Sequence, residues 1–312
     1  MTDTTIGIDI SKAHLDVATH PKGNAMQFTN NKKGHKALLR WIRTVDMKLI
    51  VFEPTGAYHR SLEQFLGMRN LPYVKVNPLH AKRFGEAMGK LVKTDVVDAK
   101  MLAFYGATLV PNPSSGKSQA LVNLHELMVA RKALIKDKTA AANRQHIQTI
   151  SLLKRQLVKR LKQIDADITA IDRACREITN RDLVLKRRFE ILKSIPGLGD
   201  ITIFTLLAEM PELGSMDKRQ AGALAGLAPV TRQSGNWKGQ SFIQGGRADV
   251  RKALYMPALV ATRFNPVLKA KYQAMMEAHK PFKIVITAIM RKLITIANAL
   301  LRDNRKWNET PC

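Results

Sequence analysis

The chain has 312 residues, enough for two domains, and its 51 Lys and Arg against 25 Asp and Glu give a formal charge of +26. This excess favours a polyanionic partner, with nucleic acid first, and the spread of the basic residues argues against a single membrane-surface helix. Cys175 and Cys312 provide neither a disulfide framework nor a zinc site. No signal-peptide pattern opens the chain, and Arg291 and Lys292 interrupt the apolar run at 284–301, so we expect a cytoplasmic protein without a membrane span.

The first 109 residues predict alternating strands and helices. β-rich runs predict strands at 4–10, 14–19, 25–29, 48–52 and 73–76. Apolar periodicity predicts helices at 34–45 and 58–68, and a further helix that begins near Thr94. Asn77-Pro78 is interpreted as a turn. The resulting order, β-β-β-α-β-α-β-α, is typical of ribonuclease H-like domains.

Four acids stand out in this part of a very basic chain. Asp9 and Glu53 lie at the ends of predicted strands, and Asp95 and Asp98 share one face of the first turn of the predicted helix. Acids at a helix start also offset the macrodipole, and Thr94 or Asp95 can cap the helix, so a purely structural role is the alternative. Clustered carboxylates suit Mg²⁺, and two such ions about 3.5–4 Å apart support phosphodiester chemistry.

A long helical arm is predicted next, over residues 110–193. Val110 to Lys117 is a Pro/Ser/Gly linker, and no Gly or Pro occurs between Gly116 and Pro196. Apolar residues recur at intervals of three and four, which is typical of a coiled-coil seam: Ile150, Leu153, Leu157, Leu161, Ile164, Ile168, Ile171, Cys175 and Ile178. The seam fits an antiparallel hairpin within one chain, a zipper between two chains, or both.

Residues 194–312 predict a mainly helical domain, with helices at 201–209, 217–225, 250–262, 267–278 and 282–301. Gly197 and Gly199 form a tight turn at a helix start, where free backbone N–H groups suit a DNA phosphate, although a plain helix connection has the same pattern.

An irregular basic segment at 231–247 interrupts these helices. Ser234 in this Gly-rich segment is either a turn residue or a nucleophile, and Arg232, Lys238 and Arg247 are cations that could hold a phosphate beside it. Trp237 suits stacking on a base, or burial in the core.

Several motifs in order give the chain a resemblance to a known family. They are Gly7-Ile8-Asp9-Ile10-Ser11-Lys12, Glu53-Pro54-Thr55-Gly56, Asn77-Pro78, Lys93-Thr94-Asp95 with Asp98-Ala99, Ile195-Pro196-Gly197-Leu198-Gly199, Ser234-Gly235, and Arg251-Lys252-Ala253-Leu254-Tyr255-Met256. Over nearly its whole length the chain resembles the DEDD-type insertion-sequence transposases, the group that includes the Piv DNA invertase.

The resemblance implies a RuvC-like domain over residues 1–109, a coiled-coil arm and a C-terminal transposase domain. It implies a metal-dependent DNA recombinase that is guided by a structured non-coding bridge RNA. Asp9, Glu53, Asp95 and Asp98 match the family's Mg²⁺-binding acidic tetrad, and Ser234 matches its nucleophile, which forms a phosphoserine link to DNA. Dimers and dimers of dimers are implied, with the acids of one protomer facing the serine of another.

Three other functions fit parts of the sequence. A RuvC-like structure-specific nuclease would use the four acids without the serine. A sugar kinase or ATPase of the actin-like class would share the phosphate-binding turn at residues 7–12, but it needs further Gly-rich loops that are not seen here. A non-catalytic nucleic-acid scaffold would use the charge alone.

Overall fold

The computed structural model describes residues 4–89, 94–113, 118–231, 233–235 and 237–307. The chain divides into two compact units between Lys117 and Ser118. Each unit contains its own clusters of buried apolar residues. The finer division of the chain at residues 109 and 193, into a domain, an arm and a terminal domain, stays a prediction.

The first unit is an α/β domain built on one five-stranded sheet. Its elements are β1 (Thr4–Ile10), β2 (His14–His20), β3 (Ala25–Thr29), α1 (Lys32–Ile42), β4 (Met47–Phe52), α2 (Arg60–Gly67), β5 (Tyr73–Lys75), α3 (Pro78–Ala87) and α4 (Asp95–Leu109). The strands lie in the order β3-β2-β1-β4-β5. The pairs β1–β2 and β2–β3 are antiparallel, whereas β1–β4 and β4–β5 are parallel. The sheet is therefore mixed, with β1 at its centre.

Helices cover both faces of this sheet, because successive residues of its central strands bury their side chains on opposite sides. Ile6, Ile8 and Ile10 of β1 pack on one face, in a cluster with apolar residues of α1 and α2. Val51 of β4 packs on the opposite face with Met101 of α4 and with residues of α3. Successive strand residues point to opposite faces, so burial on both sides requires apolar residues at nearly every position of the central strands.

Helix α4 lies directly on the central strands because two glycines remove the side chains that would separate them. A methyl group at Gly7 would overlap backbone atoms of Ala99 and Ala103. One at Gly106 would lie 2.5 Å from the Val51 Cγ2 atom and 2.7 Å from the Thr5 Cγ2 atom. The small residues on both partners thus fix the distance between β1 and α4 by direct steric contact.

All five strands of this sheet match the predicted strands to within one residue, but two helix predictions were wrong. Asn77-Pro78 is the start of α3, since the Asn77 side chain accepts a hydrogen bond from the Leu79 N–H at 2.9 Å and Pro78 takes the first helical position. Helix α1 begins at Lys32 rather than at Gly34, because the Asn31 side chain caps it.

The second unit is mainly helical. Its elements are α5 (Gln119–Ile147), α6 (Ser151–Arg181), α7 (Leu183–Lys193), α8 (Asp200–Glu209), α9 (Lys218–Leu224), β6 (Pro229–Val230), β7 (Gln233–Ser234), β8 (Trp237–Lys238), β9 (Phe242–Ile243), α10 (Ala248–Phe264), α11 (Pro266–Glu277) and α12 (Phe282–Arg302). The short strands pair as β6–β9 and β7–β8, so the segment predicted to be irregular contains two small ladders.

Helix α12 has the length and hydropathy of a membrane-spanning helix, and half of its most apolar window is buried within the unit. Val285, Ile289, Leu293 and Ala297 of this helix are among its buried residues, and they recur every four positions. This spacing is typical of a core helix with one buried stripe.

Helices α5 and α6 pack against each other as an antiparallel pair. Arg131 of α5 pairs with Asp172 of α6 at 2.6 Å, and Lys138, seven residues further along α5, pairs with Asp165, seven residues back on α6. Of the predicted seam, Ile164, Ile168 and Cys175 are buried, whereas Ile150 at the turn is 60% exposed. The intramolecular hairpin is therefore present; a coiled-coil zipper between two chains stays a prediction.

Helix α10 contains Pro257 yet continues to Phe264, beyond the predicted end at residue 262. Proline has no N–H to donate to the carbonyl four residues earlier, that of Ala253. The Thr202 hydroxyl of α8 reaches this carbonyl at 3.4 Å and supplies a substitute donor. The helix therefore tolerates its proline through a contact with α8.

We predict that Gly7→Ala destabilises the first unit by about 1–3 kcal/mol, because the new methyl group has to displace the backbone of α4. The control is Gly85→Ala in α3, where a methyl group would meet no atom within 4 Å. Alanine is the better helix former, so this variant is expected to be unchanged or slightly more stable. Urea unfolding of both variants measures the difference, and equal stabilities would contradict the proposed contact.

Candidate active site

The carboxyl ends of two neighbouring parallel strands bring Asp9 and Glu53 to the same edge of the sheet. The last parallel pair between β1 and β4 is Ile8 with Phe52, and the two acids are the next residue on each strand. Both are half-buried. Both acids lie at strand ends as predicted, with Asp9 one residue before the end of β1 and Glu53 directly after β4, and the register shows in addition that the two strands are adjacent.

The first turn of α4 carries the other two predicted acids, Asp95 and Asp98. Thr94 caps the helix, since its hydroxyl accepts a hydrogen bond from the Val97 N–H at 3.3 Å. Asp95 is therefore not needed as the cap. Asp95 is exposed and Asp98 is half-buried. The contact of α4 with Gly7, two residues before Asp9, brings this turn to the end of β1.

Electrostatic coupling shows that Asp9 lies near both acids of α4. The pKa of the Asp9 carboxyl is raised from its ordinary value of 3.8 to about 6, first by burial and then by the negative charges of Asp95 and Asp98. A hydrogen bond from the Ile10 backbone lowers this pKa without cancelling the effect. Burial and like charges both disfavour the ionised form, so the cluster holds an excess of negative charge.

Asp16 belongs to the same surroundings and was not singled out from the sequence. It lies directly opposite Asp9 in the β1–β2 ladder, is only 5% exposed, and contributes a smaller upward shift to the pKa of Asp9. Its carboxylate accepts a hydrogen bond from the Gln27 side chain at 2.8 Å. The available signal was an acid between the apolar residues Leu15 and Val17 of the strand His14–His20.

The donor chemistry of this edge fits a divalent cation of the Mg²⁺ type, because hard oxygen ligands with unrelieved mutual repulsion are what such ions bind. Within the described ranges, no three His, Cys, Asp or Glu side chains are gathered closely enough to hold a metal ion. The acids are thus neighbours whose carboxylates do not converge on one point.

Ser234 lies in the second unit, at the end of a very tight hairpin. Strands β7 and β8 pair Gln233 with Lys238 and Ser234 with Trp237, so only Gly235 and Asn236 separate the strands. Gly235 has φ +56°, the left-handed conformation that such two-residue turns require. Ser234 is exposed, and its hydroxyl makes no hydrogen bond to another described residue.

The other predicted nucleic-acid contacts have different surroundings. Arg232 lies outside the described residues, as do the side chains of Trp237 and Lys238, whose backbone forms β8. Arg247 is exposed only in part, because its guanidinium makes two 2.7 Å hydrogen bonds to the Glu212 carboxylate. Its role in binding nucleic acid stays a prediction, and the ion pair gives it a structural role as well.

The first glycine of the Gly-x-Gly turn before α8 packs closely against α10. A side chain at Gly197 would lie 3.0 Å from the Pro257 carbonyl of α10, and the residue has φ +102°. Gly199 is open to solvent and precedes Asp200, which pairs with Lys193 at 2.5 Å and with Arg176 at 2.6 Å. Phosphate binding by this turn stays a prediction, and Asp200 already places a negative charge there.

Comparison with known proteins gives matches over most of the chain. A family model described as "Transposase" matches residues 6–164, and one described as "Transposase IS116/IS110/IS902 family" matches residues 189–273. The chain is 33% identical to the pilin gene-inverting protein of Moraxella lacunata and 32% identical to that of Moraxella bovis, each over 99% of both chains. It is 31% identical to an uncharacterised 42 kDa protein of insertion element IS900 from Mycobacterium paratuberculosis, over 63% of this chain and 51% of that one.

These matches define an enzyme that cleaves and rejoins DNA, a transposase or site-specific invertase. Within that class, the chain belongs to the IS110-type DEDD transposase family. The family expected from the sequence motifs is thereby confirmed.

We predict that the Asp9 carboxyl contributes a loss of stability to the metal-free protein as pH rises from about 4 to about 6. This carboxyl binds more protons in the folded than in the unfolded state in this range, because its pKa is raised from 3.8 to about 6. The lowered pKa values of His35 and His59 act in the opposite direction, so the slope due to Asp9 is the difference between the wild type and a variant without this carboxyl. Asp9→Asn should reduce this slope and raise stability at pH 7. Urea unfolding at several pH values in EDTA measures the effect, with the exposed Asp46→Asn as control. An unaltered slope in Asp9→Asn would contradict the coupling.

Proposed function

We propose that this chain is an insertion-sequence recombinase that breaks DNA with a serine nucleophile beside a Mg²⁺-binding acidic tetrad. The observation that carries the proposal is the meeting of Asp9 with the first turn of α4, which raises the pKa of Asp9. A helix start that only had to be capped would not require Asp95 and Asp98 to lie near the half-buried carboxyl of Asp9. The cluster is costly for folding, which favours a functional reason for its presence.

The sheet supports a ribonuclease H-like, RuvC-like fold for the first unit. The strand order β3-β2-β1-β4-β5, with only β2 antiparallel to its neighbours, is the arrangement expected for that fold. In such a fold the acids at the end of the central strand, at the end of its parallel neighbour and on the covering helix serve one site. Asp9, Glu53, Asp95 and Asp98 occupy these positions.

These four acids would hold Mg²⁺, which when bound neutralises phosphate charge and stabilises attacking and leaving oxygens. The chain's own part is to position the ion rigidly. Thr94 caps α4 and Gly7 seats it, so the two helix acids are held by backbone contacts rather than by flexible loops. Asp9 lies close enough to both helix acids for their negative charges to raise its pKa.

Ser234 would supply the nucleophile. Its Oγ attacks the phosphorus of a DNA phosphodiester and gives up its proton, while the bond from phosphorus to the leaving sugar oxygen breaks and that oxygen takes up a proton. The product is a phosphoserine ester that conserves the bond energy for rejoining. The exposed position of Ser234 at a tight hairpin presents the hydroxyl to a strand without a rearrangement of the core.

We infer further that the protein works as a dimer or dimer of dimers, with the acids of one protomer beside the Ser234 of another. A structured non-coding RNA is proposed as the guide that selects the DNA sites, and the +26 charge supports both partners through salt-sensitive phosphate contacts. The pilin gene-inverting relatives support inversion, and the insertion-element relatives support transposition, as the outcome. Action in the cytoplasm on chromosomal DNA follows from this proposal.

Metal binding tests the acidic site without relying on activity. We predict that Mn²⁺, measured by calorimetry as a Mg²⁺ substitute, binds the wild-type chain at least about tenfold more tightly than Asp98→Asn, since a ligand carboxylate is lost. Asp46→Asn, exposed on the same unit, is the matched control and should bind as the wild type does. Equal Mn²⁺ affinity in all three proteins would refute the tetrad.

The nucleophile is tested with Ser234→Ala. This variant should lose recombination and the covalent protein–DNA adduct that denaturing gels detect, while DNA binding changes little. Ser241→Ala removes another exposed hydroxyl of the same segment, one that lies 3.2 Å from the Thr231 hydroxyl, and it should retain both. Cleavage of DNA by Ser234→Ala without an adduct would indicate the alternative, a structure-specific nuclease that uses the acids alone.

A further inference from the structure

A cavity of about 510 Å³ opens in the second unit, on a surface that the proposed chemistry does not use. Three consecutive helices line it: Thr262 and Arg263 from the end of α10, Lys269, Tyr272 and Gln273 from α11, and Phe282 from the start of α12. Its volume falls within the range of about 300–1,000 Å³ that is usual for small-ligand sites.

The turn between α10 and α11 fixes the backbone positions of two cationic residues that line this cavity. Asn265 ends α10, is fully buried, and accepts a hydrogen bond from the Leu268 N–H at 3.1 Å, so it also caps α11. Pro266 occupies the first position of α11. Arg263 and Lys269 flank this rigid turn, and their spacing is set by the backbone.

Both cations are available to a ligand. Arg263 and Lys269 are exposed, and neither forms an ion pair or hydrogen bond with another described residue. The lining contains no carboxylate. The cavity therefore has an uncompensated positive charge and selects for an anion.

The aromatic residues narrow the class of anion. Phe282 is 44% exposed at the start of a helix that enters the core from Val285 onward, and Tyr272 is half-buried beside the same core. Neither ring contacts another aromatic ring among the described residues. Two ring surfaces next to two cations suit a planar π system that carries a phosphate, and Gln273 adds an amide able to pair with a base edge.

We propose that this cavity binds an unpaired nucleotide of a nucleic-acid strand, with the base against Tyr272 and Phe282 and the phosphate at Arg263 and Lys269. The unpaired base is required because a base inside a duplex has no free ring face. The proposal uses the family's action on nucleic acid but neither the serine nor the metal assignment. It can therefore stand or fall independently of both.

The test is binding of a single-stranded DNA oligonucleotide that carries 2-aminopurine, measured in EDTA so that no cleavage occurs. Stacking in the cavity quenches the fluorescence of this base. Phe282→Ala should abolish the quenching and weaken binding about five- to hundredfold, as expected for the loss of one base–aromatic stack. Binding of a blunt duplex should be unaffected.

Matched controls lie next to the cavity. Phe264→Ala removes a more exposed ring, 69% exposed, from the same helix end, and Lys271→Gln removes a cation of α11 that does not line the cavity. Both should retain the quenching, whereas Arg263→Gln with Lys269→Gln should lose it. Tyr272→Phe keeps the ring and should behave as the wild type does. Thermal melting confirms that each variant is folded.

The fluorescence test has outcomes that support the proposal and outcomes that overturn it. An RNA strand of the same sequence that shows the same dependence on Phe282 also supports the cavity, and identifies it as a site for either strand. Quenching that persists in Phe282→Ala, or that Phe264→Ala reduces equally, overturns the proposal. Because no step requires Ser234 or a metal ion, either result leaves the test of the proposed chemistry unaffected.

Discussion

The contact of Gly7 with the backbone of α4 is the constraint on which the acidic site depends. Without a side chain at this position the helix lies against the central strand, and its first turn is set beside the end of that strand. Any larger residue would lift the helix by the thickness of a methyl group or more. Asp95 and Asp98 would then move away from Asp9, and the electrostatic coupling that defines the site would weaken.

Much of this arrangement can be predicted from short-range patterns of the sequence. The five strands could be placed because β-rich runs are bounded by turn residues and, after Phe52, by Glu53 and Pro54. Thr94 and the acids after it predict a helix start. The steric contact between Gly7 and Ala99 could not be predicted, since residues about ninety positions apart meet only through the fold. The raised pKa of Asp9 depends on the same contact between β1 and α4, so the sequence alone could not predict it either.

In the second unit, sequence patterns identified the helices but not the partners of the charges. Arg247 looks like a free cation in a basic segment, yet it pairs with Glu212, thirty-five residues earlier. Arg263 and Lys269 lie in ordinary amphipathic helices, so the sequence does not distinguish them from other surface cations. Their environment became visible only once the turn at Asn265 was in place. Charge along a chain therefore identifies the type of partner, whereas the fold decides which cations remain available to it.

Helix α10 carries a further consequence of its unbroken course past Pro257. It has 17 residues, and at about 1.5 Å per residue it is about 25 Å long. The segment that bears Ser234 joins one end of this helix, and the cavity beside Arg263 lies at the other. The helix separates these two features by about its own length. A nucleic-acid strand that contacted both of them, as proposed, would have to span that distance.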